Sequence, residues 1–139
     1  MSTDAGLDLF KAVKAILAAD GYIASQCGAR IFSTWGNEEA AHPLIRMWAG
    51  DALPFELDGG GEGSETDFRI TVFTAEKGQT VARTIGNRVR DLLKDNDAMP
   101  LDGSNIVAFQ FSGLSMIRDP EDPELQQAVV RFKAQTVAK

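Results

Sequence analysis

Two stretches near the end of the chain alternate apolar and polar residues, which is the pattern of β-strands with one buried face. In the first stretch, Val107, Phe109 and Phe111 are the apolar positions. The second stretch covers residues 128–135, and its apolar set is Ala128, Val130, Phe132 and Ala134. The segment 118–124 between them contains two prolines, which favour a turn. Antiparallel pairing of the two strands is the simplest closure, so the sequence predicts a hairpin here.

Two earlier segments have the apolar spacing of helices. The first is predicted from an N-cap at Asp4 to about Ala19, and its stripe contains Leu9, Phe10, Val13, Ile16 and Leu17. A short extra turn is expected over 22–27, ended by Gly28. The second helix is predicted over 75–93 with Thr74 as its N-cap, and its buried positions are Val81, Ile85, Val89 and Leu92.

Three further strands complete the expected fold, over 31–35, 44–49 and 67–72, where Phe68, Ile70 and Val72 alternate with polar residues. The order of elements predicts an α+β fold: a small, largely antiparallel sheet of about four to five strands covered by two helices. A length of 139 residues fits a single domain spanning 1–139.

Residues 50–66 are rich in glycine and in acidic side chains. Gly59, Gly60, Gly61 and Gly63 lie close together, and glycine loses more conformational entropy on ordering than other residues. The segment is therefore expected to be a mobile loop or the tip of a long hairpin.

The charge and composition exclude several classes of protein. A formal net charge of −6 argues against a protein that grips nucleic acid and against one that anchors on an acidic membrane. The sequence contains no run of about 18 consecutive apolar residues, so it predicts no membrane-spanning helix. Cys27 is the single cysteine, so an intramolecular disulfide is impossible. The first eight residues lack the features of a secretory signal, so synthesis and use in a cytoplasm are expected.

The sequence presents no catalytic, cofactor-binding or metal-binding motif. A single histidine, His42, with no Cys-x-x-Cys, does not build a zinc site. The glycine cluster carries acids instead of lysine, unlike a phosphate-binding loop. Asp58 followed by three glycines does not match an EF-hand calcium loop either. We therefore predict no catalytic residue, no cofactor and no metal.

Several segments resemble the tail-terminator (tail-completion) family of long-tailed bacteriophages and gene transfer agents. The strand 68–74 and the helix that follows it are similar to the middle of that family, and the opening helix with residues 28–32 is similar to its beginning. The segment 57–60 before the strand, and an acidic turn leading into a last strand at 129–132, are further features of the family. The resemblance covers residues from about 7 to 136.

The resemblance implies a structural virion protein located at the tail–neck junction after assembly in the host cytoplasm. Such a protein forms a homo-hexameric ring that caps the tail tube, contacts the tube protein and a neck or stopper protein, and carries out no reaction. Double-stranded DNA passes through the lumen without specific binding. A closed ring needs two different lateral surfaces. We predict that these surfaces include Asp58, Gly59, Gly60, Glu62, Asp119, Glu121 and Asp122.

Other interpretations of the sequence remain open. The chain could be another neck component, such as a stopper or a relative of the tail-tube protein. It could also be a small module that captures a peptide on an exposed sheet edge, or an enzyme without a recognisable signature. The acidic turn at 119–124 is also compatible with a simple solvated turn.

Overall fold

The computed structural model describes residues 5–33, 43–57, 61–75, 79–94, 96, 99–101, 103–118 and 125–138. The helices are α1 (Ala5–Ala19), α2 (Gly21–Cys27) and α3 (Thr80–Leu93), and the strands are β1 (Ile31–Phe32), β2 (Leu44–Leu57), β3 (Gly61–Thr74), β4 (Ser104–Arg118) and β5 (Gln126–Ala138). The strands form one sheet in the order β1-β2-β3-β5-β4. Among the strands that the structure describes, only the β1–β2 pair is parallel, and the other three pairs are antiparallel. The predicted α+β fold with a largely antiparallel sheet is confirmed.

The core lies between one face of the sheet and the helices α1 and α3. From the predicted stripe of α1, Leu9, Val13 and Leu17 are fully buried there, and Phe10 and Ile16 are partly buried. From α3, Ile85 and Val89 are fully buried against β3 and β5. Gly86 lets α3 approach the sheet closely, because a Cβ atom at this position would lie 3.2 Å from both Ala128 Cβ and Leu114 Cδ1.

The predicted apolar faces of β3 and β5 are confirmed. Phe68, Ile70 and Val72 pair in register with Phe132, Val130 and Ala128, and all six side chains are buried. Phe132 stacks on Phe109 with ring centroids 4.8 Å apart, and Phe111 meets its edge at 5.9 Å. This aromatic cluster joins β4 and β5 at the centre of the core.

The extra turn predicted over 22–27 is a helix in its own right, α2. Its N-cap is Asp20, whose carboxylate accepts a hydrogen bond from the Ile23 N–H at 3.0 Å. Gly28, with a φ of 57°, ends the helix. Arg30 then ties this region to the sheet, since its Nε donates to the Pro43 carbonyl at 3.0 Å.

The loop predicted over 50–66 is wrong for most of its length. Apart from the connection 58–60, which lies outside the described residues, the segment belongs to β2 and β3. The hairpin alternative is therefore the correct one. Backbone pairing outweighs the weak strand preference of glycine, because Gly63 is paired with Phe55 on one side and Val137 on the other.

Two further local predictions are wrong. Helix α3 begins at Thr80 with Gln79 as its N-cap, whereas Thr74 is the buried last residue of β3 and its hydroxyl has no hydrogen-bond partner. Val107 is 45% exposed, because the β4–β5 register shifts between Ile106 and Ala108 and turns its side chain out of the core. The predicted cap at Asp4 lies outside the described residues.

Candidate assembly interface

The residues predicted from the sequence to form the interface belong to the connections of two hairpins. Glu62 lies in β3, where its backbone pairs with Glu56. The others lie outside the described residues: Asp58, Gly59, Gly60, Asp119, Glu121 and Asp122. The structure does, however, define the strand ends that carry these two connections.

The two connections lie at opposite ends of the sheet. β2 ends at Leu57 and β3 begins at Gly61, close to the register position where Gly63 pairs with Val137. β4 ends at Arg118, which pairs with Gln126, and Gln126 in turn pairs with Thr74 at the far end of β3. The two predicted patches are therefore not one site, and each belongs to a different end of the domain.

The sheet face opposite α1 and α3 is exposed around Trp48 and Arg69, whereas Leu44, Arg46 and Val129 on the same face are buried. We call this the open face. In one row across it, Trp48 of β2 pairs with Arg69 of β3, and Arg69 pairs with Arg131 of β5. We call these three residues the arginine row. The row places an aromatic side chain and two positive charges side by side on an overall acidic protein.

Local packing sets the position of the arginine row. The Arg69 guanidinium lies over the Trp48 ring, 4.9 Å from its centroid, in a cation–π contact. Gly50 permits this position of the indole, since a Cβ atom there would come within 2.9 Å of the Trp48 ring. Arg131 donates from Nη1 to the Ser115 Oγ at 2.6 Å. A bulky residue at position 50 would therefore displace the indole from Arg69.

A cleft of about 320 Å³ adjoins the row, and its lining includes Trp48, Leu53, Glu65, Asp67 and Lys133. Trp48 and Leu53 are 46% and 62% exposed, unusually high values for large apolar side chains. The Lys133 Nζ lies 3.7 Å from the Glu65 Oε1. Exposed tryptophan beside arginine is the composition typical of protein-binding surfaces.

Sequence reasoning missed the arginine row because its residues come from three strands. The alternation of β3 and β5 identified Arg69 and Arg131 as outward-facing, but that pattern alone predicts an ordinary solvated face. Their proximity depends on the register of β3 against β5 and of β2 against β3. A short-range sequence pattern does not contain this register.

A second surface feature lies on the helical side, where α2 meets α3. Arg88 binds the Asp20 carboxylate through its guanidinium, with the Nε at 3.2 Å from both oxygens. The hydrogen bond from Arg88, together with the one from the Ile23 N–H, lowers the pKa of Asp20 below its usual value. Tyr22, Asn87 and Asp91 line the open groove beside this pair. The pair joins the N-cap residue of α2 to α3 at the side of the groove.

We expect Asp20→Ala to lower the free energy of unfolding by about 0.5–2 kcal/mol at neutral pH, because α2 loses its N-cap. Asp20→Asn keeps the cap and loses the charge, so its effect should be smaller. Because folding lowers the pKa of Asp20, its charge stabilises the protein fully above the unfolded pKa of about 3.9, and this contribution is lost as the pH falls through the lowered pKa of the folded state. Urea unfolding at pH 7 and pH 3 measures the difference. An unchanged gap between wild type and Asp20→Asn at the two pH values would contradict this role.

The side chains that could serve chemistry are few in the described part of the chain. Cys27 is fully buried, and the loss of solvation raises the pKa of its thiol to about 11, so it stays protonated at neutral pH. Among the described residues, no group of three or more His, Cys, Asp or Glu side chains could hold a metal ion. The helices in the same ranges lack the length and apolarity to cross a membrane.

A family model for tail completion protein gp17 matches residues 11–136, most of the chain. The chain belongs to the tail completion protein family. This confirms the resemblance predicted from the opening helix, the strand 68–74 and the final strand.

Comparison with solved structures finds the same fold in a chain of a structure described as the virion of a native gene transfer agent particle. The TM-score is 0.81 at 23% sequence identity, and the match covers 98% of this chain and 99% of the other. At this identity the match shows that this tail completion protein shares the fold of that virion chain. A comparison with curated proteins found no match.

Proposed function

We propose that this tail completion protein is a tail terminator, which caps the finished tail tube as a hexameric ring and joins it to the neck below the head. Membership of the tail completion family carries the proposal, and it makes the protein a structural component of a phage-like virion. In this function the chain, acting as one domain, binds its own copies, the tube protein and a neck or stopper protein. It catalyses no reaction and needs no cofactor.

The size of the subunit supports six copies around a DNA conduit. A chain of this length has a radius of gyration of about 14 Å and corresponds to a sphere roughly 37 Å across. Six touching spheres leave a central hole about one diameter wide, which admits duplex DNA of roughly 20 Å. Four spheres leave a hole of roughly 15 Å, which does not.

The charge of the subunit supports a lumen through which DNA slides without binding. Six copies at −6 each carry about −36, which repels phosphates. A wall that held phosphates with basic side chains would slow the passage of a genome.

The shape of the domain supplies the different surfaces that such a ring requires. Subunits in a closed ring meet head to tail, so each needs two unlike lateral surfaces, and it also needs two ends for the tube and the neck. The two hairpins end at opposite ends of the sheet, and the helices α1 and α3 pack on one face of the sheet while Trp48 and Arg69 are exposed on the other. A terminator must accept the last tube ring at one end and refuse further tube subunits at the other, and unlike ends make this possible.

The mass of the purified protein in solution tests the ring. We expect a species of about 90 kDa, six copies of the 15.0 kDa chain, in native mass spectrometry, either alone or with the tube protein added. Images of this species should show six-fold symmetry with a central opening. A 15.0 kDa monomer at every concentration, with and without the tube protein, would contradict the proposal.

A further inference from the structure

The open face carries a charged and aromatic surface whose complement lies elsewhere in the same sequence. We propose that the arginine row and its adjoining cleft receive the acidic, proline-containing segment 119–124 of a second copy of this chain. The inference rests on the proposed ring, because it assigns one of the contacts between neighbouring subunits.

The two positive charges of the arginine row favour binding of a negatively charged group from outside the subunit. Arg69 and Arg131 stand directly opposite each other on paired strands, where like charges are destabilising, and their guanidinium groups turn to opposite sides, that of Arg69 to Trp48 and that of Arg131 to Ser115. The ion pairs among the described residues include neither of them. A carboxylate brought to either guanidinium group would offset part of this positive charge and form charge-assisted hydrogen bonds.

The exposed apolar side chains beside the row favour a partner that also presents apolar groups. Trp48 and Leu53 expose large fractions of their side chains beside the row. Aromatic-lined grooves bind proline-containing segments, because an extended proline segment is already close to its bound conformation. A ligand that combines carboxylates with prolines would therefore satisfy both halves of the surface.

The segment 119–124 has this composition. Its sequence is Asp-Pro-Glu-Asp-Pro-Glu, with four carboxylates and with Pro120 and Pro123 three residues apart. Three residues is the period of the polyproline II helix, so both prolines would lie on one side of an extended segment. Asp119 and Asp122 each precede a proline, which favours the extended conformation for both.

The length of the connection argues that the segment comes from a neighbour. Arg131 of the row and Lys133 of the cleft lie five and seven residues along β5 from Gln126, distances of about 17 and 23 Å. The six residues 119–124 are anchored at both ends, by Arg118 and Leu125, and extend about 12 Å at most. A subunit therefore cannot fill its own cleft with this segment, whereas the next subunit in a ring can supply one.

Duplex DNA is a poorer occupant for the same surface. Glu65 and Asp67 in the cleft repel any anionic occupant, and they repel a backbone carrying one negative charge per about 1.7 Å more strongly than a segment with four carboxylates in six residues. A short acidic segment can place its few carboxylates at the guanidinium groups and its prolines on the apolar side chains. DNA offers no apolar group of that kind at its surface.

Charge reversal on each side of the contact tests the inference. The row variant is Arg69→Glu with Arg131→Glu, and the segment variant carries Asp119→Lys, Glu121→Lys and Asp122→Lys. Each variant should lower the hexamer population at a fixed protein concentration by at least about tenfold, because charges of the same sign then face each other across the contact. The matched control, Arg83→Glu with Lys94→Glu, changes two exposed charges, one on α3 and one at its C-cap, and should leave the population unchanged. Thermal melting of each variant establishes that the subunit is folded.

The decisive part of the test is whether combining the two sets of substitutions restores hexamer assembly. An equal mixture of the row and segment variants should form hexamers again, with the two kinds of subunit alternating and present in equal numbers. Combining all five substitutions in one chain should also restore assembly. Each restored species supports the pairing, since no other contact would be repaired by both sets of reversals.

The contradicting outcomes separate this inference from the proposed ring. If the wild type forms hexamers and either variant, while folded, has a hexamer population within about twofold of the wild-type value, the inference is overturned and the ring remains. Failure of the mixture to restore assembly would overturn it as well. Intact hexamers of the row variant with weaker retention of duplex DNA at low salt would assign the face to DNA instead. A wild-type protein that forms no ring would contradict the proposed function itself.

Discussion

Phe132→Ala is expected to lower the free energy of unfolding by about 3–5 kcal/mol, a large part of the stability of a domain of this size. Phe132 is 1% exposed and lies between Phe109, Phe111 and the paired Phe68. Its removal would leave a cavity among three rings that cannot all move inward. Urea unfolding of wild type and variant gives the difference directly.

The control for this experiment is Ile117→Ala. Ile117 is on β4, like two of the rings around Phe132, but it is 41% exposed, so its truncation should cost far less. A loss below about 1 kcal/mol for Phe132→Ala would mean that the register of β5 or the buried face of the strand is different.

The largest functional effect is expected from the acidic connection between β4 and β5. Changing Asp119, Glu121 and Asp122 to lysine should leave the fold intact, because surface substitutions usually cost under about 0.5 kcal/mol each. The same variant should join tails to heads poorly, since the proposed contact would meet positive charge with positive charge. Complementation of cells that lack the native gene measures this as a fall in the number of infectious or gene-delivering particles, by orders of magnitude.

A graded series makes the result specific to charge. Replacing the same three residues with Asn, Gln and Asn removes the charges without reversing them, so the particle count should fall between those of wild type and the lysine variant. Normal counts for the lysine variant would remove the connection 119–124 from the docking surfaces.

The parts of the fold that the sequence predicted are those in which the local pattern and the tertiary position agree. The buried faces of β3 and β5 follow from strict alternation, and both strands are interior strands of the sheet, where that alternation meets a core on one side. The stripe of α1 likewise faces the sheet, because no other described surface would cover it. In these elements a short window of sequence contains all of the relevant information.

The wrong predictions share a physical cause, which is pairing between distant strands. Gly61 and Gly63 favour a loop locally, yet Gly63 is held between β2 and β5. Val107 fits an inward position by alternation, yet a register shift turns it outward. Thr74 is a good helix cap by type, but β3 continues through it to its pairing with Gln126. Local propensity predicted each position, and non-local hydrogen bonding decided it.

The candidate interface likewise has one part that local sequence predicts and another part that depends on pairing between distant strands. The acidic and glycine-rich connections can be found in the sequence because each is a continuous segment. Trp48, Arg69 and Arg131 are separated by 21 and 62 positions and become neighbours only through the strand order β2-β3-β5. The charge complementarity proposed between row and connection therefore needed the fold before it could be recognised.

Particles made in the absence of this protein test the central claim most directly. Electron microscopy of lysates from a strain with the gene deleted would show whether tails end at their normal length and whether they join heads. The terminator function predicts tails of irregular length, filled heads without tails, and recovery of both defects when the gene is supplied in trans. Tails of normal length joined to heads without the protein would contradict it.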